Sequence, residues 1–130
     1  MLTTASLLNI LLMTLHLTSD ILFKMAPAGL PILFAVIFFV VLLCGTLLLA
    51  GRRAGYIIIF LGSAFGLVMP ILHMRGRGMI GGEIANSGHA FFFVFILLTL
   101  SITASFATIL SARALLSLPW RRSRRASAAA

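Results

Sequence analysis

The chain has 130 residues, 62% of them hydrophobic and 9% charged, with ten Lys plus Arg against two acids and a net charge of +8. Soluble chains carry about a quarter charged residues, so this one lacks the polar surface to cover an ordinary soluble domain, and its apolar content excludes a disordered chain. What remains is an integral membrane protein, in which lipid replaces the polar coat.

A bilayer core takes about 20 consecutive apolar residues per helix, and four segments qualify, at about 3–22, 30–50, 55–74 and 89–112. The expected fold is an all-α, four-helix transmembrane bundle, one domain over 1–116 followed by a polybasic tail over 117–130. In the first segment Ser6, Asn9, Met13, His16 and Asp20 recur at intervals of three and four. They form one polar stripe on a helix. An ionisable group facing lipid is costly, so the stripe is expected to face the bundle interior, a water-filled cavity or another subunit. The segment lacks the cationic start and small-residue cleavage pattern of a signal peptide and is read as a span.

The second segment, LPILFAVIFFVVLLCGTLLLA, carries no charge, and its Cys44 is the chain's single cysteine, read as packing rather than coordination. The third, GYIIIFLGSAFGLVMPILHM, contains Gly62-x-x-x-Gly66, a close-approach motif for membrane helices. Met69 and His73 continue the same face. Pro70 removes a backbone hydrogen bond to the Gly66 carbonyl, which predicts a kink or loosened turn.

The connection RGRGMIGGEIANSG is rich in glycine, with Arg75 and Arg77 at its start. It reads as a flexible connector, or as a binder of lipid phosphate through its arginines and backbone N–H groups. Its Gly76-x-Gly78-x-x-Gly81 spacing mimics a dinucleotide fingerprint, but no strand precedes it. The fourth segment carries a seam of small and polar residues, Ala90, Val94, Leu97, Ser101, Ser105, Thr108 and Ala112, expected to pack against other helices. Its Phe and Leu residues are expected to meet lipid or a partner. The tail holds Trp120, placed at headgroup level, and Arg121, Arg122, Arg124 and Arg125. Those arginines suit anionic lipid; as a short tethered run they do not amount to a nucleic-acid surface.

With connections alternating sides, Arg52, Arg53, Arg113 and the four tail arginines fall together, against Lys24, Arg75 and Arg77 on the other side. The positive-inside rule then places both termini in the cytoplasm. His16, Asp20, His73, His89 and Glu83 all fall at the outer end. His16 and Asp20, at i and i+4, can orient each other. With His73 and His89 they make a candidate transition-metal or haem-ligand set, imidazole suiting Zn, Cu, Fe and Ni. The competing reading is that these side chains are hydrated at the interface and tie helix ends together.

Known four-span plans can be tested on these residues. A small multidrug-type exporter needs a buried glutamate in its first helix, where this chain offers only Asp20. Disulfide-generating bundles need paired cysteines, and dihaem cytochrome b bundles need histidines toward both faces. The stretch GRRAGYIIIFLGSAFGLVMPILHMRGRG resembles a segment of small uncharacterised bacterial four-span membrane proteins, which implies a bacterial inner membrane and brings no activity. The leading expectation is a non-catalytic accessory subunit or homo-oligomer, partnered by lipid and other membrane subunits. The alternative is a membrane-embedded cofactor-, metal- or ligand-binding protein using the outer His/Asp residues, and a small oligomeric transporter ranks third.

Overall fold

The computed structural model describes residues 1–22, 29–77 and 88–118, with only the backbone at 30–31 and 74–77. Among these residues the chain is helical throughout: α1 (Leu2–Leu22), α2 (Leu30–Leu43) continued by a π-helical turn (Cys44–Leu48), α3 (Arg53–Arg77) and α4 (Ala90–Ser117). At 1.5 Å per residue, α1, α3 and α4 extend for about 31, 37 and 42 Å against a hydrocarbon core of about 30 Å. Each is long and apolar enough to cross a membrane, which makes this an integral membrane protein. The apolar run of α2 is shorter, Ile32–Leu48.

α2 begins at Gly29, whose φ of 98° is open to glycine, and has a proline in its first turn, where a missing N–H costs nothing. Its far end, where the span is expected to run to about residue 50, is π-helical rather than α-helical. The Leu49 N–H reaches back to the Cys44 carbonyl at 3.0 Å, an i to i+5 bond that widens the last turn. The chain then reverses through Gly51 (φ 76°) into α3. Gly55 is pressed against this reversal: a Cβ there would run into the carbonyl oxygens of Leu49 and Gly45. In α3, Pro70 lies inside the helix without ending it, since membrane helices tolerate one lost backbone bond.

α4 is the centre of the bundle, packed chiefly on α3 and α1. Its buried face is Phe93, Ile96, Leu97, Leu100, Ala104, Ala107 and Ser111. This face is rotated from the expected seam. Ser101 and Ser105 are half-buried and donate to the Leu97 and Ser101 carbonyls of their own helix. A hydroxyl satisfied by the preceding turn has no need of a partner helix, and alanine lets helices approach as closely as serine does. Thr108 does reach across, donating to Ser63 Oγ on α3 at 2.9 Å. Ser6 of α1 and Thr46 of the π-turn pair at 2.7 Å. Gly62 faces Leu42 of α2, and Gly66 faces Asn9 of α1 and Ala104 of α4.

Candidate functional site

The stripe on α1 turns inward. Ser6, Asn9, Met13 and His16 are all buried, and Asp20 keeps 14% of its side chain exposed. At the end of the bundle where α1 and α3 finish and α4 begins, His16 and Asp20 meet His73. His16 Nε2 lies 3.0 Å from His73 Nε2 and 3.4 Å from Asp20 Oδ2, and His73 Nε2 lies 3.9 Å from the same oxygen. The three atoms form one small triangle contributed by two helices.

α4 supplies the support. Phe93, 1% exposed, sets its ring 5.7 Å from that of His16 and 5.3 Å from that of His73, while the two imidazoles meet edge-on at 4.7 Å. Nothing in the local pattern of α4 singles out Phe93 among its neighbouring phenylalanines. Its role appears only once α3 and α4 are seen to bring His73 and Phe93 to the same end. One turn along α1 from His16, Leu12 and Met13 join Leu100 in a buried apolar layer, with Phe38, Phe39 and Met69 packed against it. Beside the triangle lies a cavity of about 520 Å³ between α1, α2 and α3. His16, Asp20, Met13 and Met69 line it together with Phe34, Phe38, Phe39 and Phe65.

The donor set can be tested for fit. A hydrogen bond between two neutral imidazoles uses one proton and satisfies one edge of the triangle. Three lone-pair atoms converging on a point are better matched by a cation. Ligand atoms about 2.0–2.1 Å from a tetrahedral ion stand about 3.3–3.4 Å apart, and the observed separations of 3.0, 3.4 and 3.9 Å straddle that value. Two imidazoles and a carboxylate are a set that transition metals accept, and three protein ligands leave a position open. A haem between the two histidines does not fit: axial nitrogens stand about 4 Å apart across a haem iron, with the macrocycle between them. His16 Nδ1, Asp20 Oδ1 and Asn9 Oδ1 are buried without a hydrogen-bond partner. Metal-bound histidines usually have their second nitrogen held by an acceptor, and His16 departs from that pattern.

The remaining candidates lie elsewhere. His89 is exposed at the N-cap of α4, outside the triangle, and its carbonyl accepts from the Phe93 N–H. Arg75 and Arg77 fall in the last turn of α3, their side chains outside the described residues, as are Lys24, Glu83, most of the glycine-rich loop, Trp120 and Arg121, Arg122, Arg124 and Arg125. No protein family, curated protein or solved structure matches this chain.

Proposed function

We propose that this is a four-span bacterial inner-membrane protein, both termini cytoplasmic, that holds a transition-metal ion at the outer end of its bundle through His16, Asp20 and His73. One observation carries the reading: three ligand-type atoms from two helices lie within 3.9 Å of one another, braced by a buried ring. The orientation is supported by the sorting of basic residues, seven to one side and three to the other. The reading of α2 as the fourth span is supported by its uncharged run and by the π-turn that carries its helix to Leu48.

The test is native-detergent purification of the full chain, with an optical spectrum and elemental analysis on the same sample. About one ion per chain is expected, lost in His16→Ala. A chain free of metal, or a variant that retains as much as the parent, would overturn the proposal. A second reading, as an accessory subunit or homo-oligomer, is favoured by the exposed apolar outer faces of α2 and α4, among them Phe34, Ile37, Phe91, Phe95 and Phe106, which another subunit could cover. It requires a stoichiometric partner or a defined oligomer in that same preparation; a lone monomer counts against it.

A further inference from the structure

The charge and softness of the groups around the triangle restrict the ion. Two neutral imidazoles and one carboxylate together carry a single negative charge. A monovalent ion leaves the centre neutral, whereas a divalent ion leaves it with a net positive charge. The site is poorly hydrated: His16, Asp20 and His73 expose 6%, 14% and 17% of their side chains. In helices surrounded by lipid, an uncompensated charge is what such a position tolerates least.

A second observation points the same way. Met13 precedes His16 by three residues on α1, and Met69 precedes His73 by four on α3. Each thioether therefore lies one turn from its histidine on the same helix face. Both methionines line the cavity that His16 and Asp20 also line. Met69 packs against the Leu12–Met13–Leu100 layer and against the Phe93–Leu97 pair, whose Phe93 ring touches both imidazoles. Met13 Sδ accepts a long hydrogen bond from Asn9 Nδ2, at 3.9 Å, and lines the cavity from within the buried layer. Thioethers select soft ions, Cu(I) above all among biological metals, and an unbranched side chain beside open space has the freedom to turn its sulfur toward one.

Resting on the metal-centre reading above, we propose that the centre is selective for Cu(I), with the thioethers of Met13 and Met69 as additional soft donors beside His16, His73 and the charge-balancing Asp20. The ion is bound as Cu(I) and stays so; no electron transfer is part of the proposal. The test uses the full chain in detergent. Cu(I) is kept reduced with ascorbate and competed against a colorimetric Cu(I) chelator, Ag(I) serves as a redox-inert surrogate, and Zn(II) is the comparison.

Cu(I) and Ag(I) are expected to bind about 100-fold more tightly than Zn(II), and X-ray absorption of the Cu(I)-loaded parent should show sulfur in the first coordination sphere. The Met13→Leu/Met69→Leu double variant keeps side-chain volume. It should lose about tenfold in Cu(I) affinity and all sulfur scattering while holding Zn(II) as before, which also reports that it is folded. Zn(II) bound as tightly as Cu(I), or a parent spectrum with nitrogen and oxygen alone, would overturn the selectivity and leave the metal centre standing. A chain that holds none of the three ions overturns both.

Discussion

Gly66 sets the distance between the two halves of the site, and its replacement gives a graded prediction. A Cβ at this position would lie 3.2 Å from Ala104 Cβ, 3.3 Å from Asn9 Oδ1 and 3.7 Å from Leu100 Cδ1. Contacts between carbon atoms settle at about 3.5–4.0 Å, so alanine asks α1 and α4 to retreat by a few tenths of an ångström. Mild overpacking costs about 1 kcal/mol, and alanine's lower backbone entropy loss offsets about 0.5–1 kcal/mol of that. Gly66→Ala should therefore fall within about 0.5 kcal/mol of the parent. Gly66→Leu adds three more carbons where Ala104, Asn9 and Leu100 already stand. It should cost about 3 kcal/mol or more. His73 lies two turns further along α3, so a displaced helix also breaks the 3.0 Å contact with His16. Reversible unfolding in mixed micelles, followed by circular dichroism, measures the stability, and elemental analysis reads the site. A leucine variant as stable as the parent that keeps its metal would refute this account of the packing.

Three further outcomes test other parts of the structure. Gly55→Ala should be worse than Gly62→Ala, at about 3 against about 1 kcal/mol, because its obstacles are backbone carbonyls whereas Gly62 meets the rotatable end of Leu42; the reverse order in the same unfolding assay contradicts it. A double-mutant cycle of Ser6→Ala and Thr46→Val should give a coupling near about 0.6 kcal/mol, typical of hydrogen bonds between membrane helices, and zero coupling would mean the 2.7 Å pair does not hold α1 to the π-turn. Phe93→Ala should destabilise by about 3 kcal/mol and weaken metal binding by about tenfold as both imidazoles lose their support; an unchanged affinity in a competition titration would remove Phe93 from the site.

The sequence makes the helices and the inward stripe legible for a simple reason. Ser6, Asn9, Met13, His16 and Asp20 are costly in lipid, and a helix has one way to turn all five from it. Gly62 and Gly66 were likewise readable, because small residues at that spacing admit close neighbours. The face of α4 was not. Ser101 and Ser105 look polar in sequence yet bond within their own helix, so the polar seam and the buried seam differ. The meeting of His16 with His73 depends on how α1 and α3 cross, which spacing along either helix does not encode. Phe93 carries no polar signal at all, and the π-turn at Cys44–Leu48 arises from the tight reversal into α3 rather than from any proline.

The central claim is that His16 and His73 hold one ion jointly. The most direct measurement is a binding titration of the parent, His16→Ala, His73→Ala and the double variant, each shown to be folded by circular dichroism. If the two imidazoles share an ion, either single variant loses nearly as much affinity as the double, because half a site retains little of the whole. Losses that simply add, or a parent that binds no ion, would contradict it.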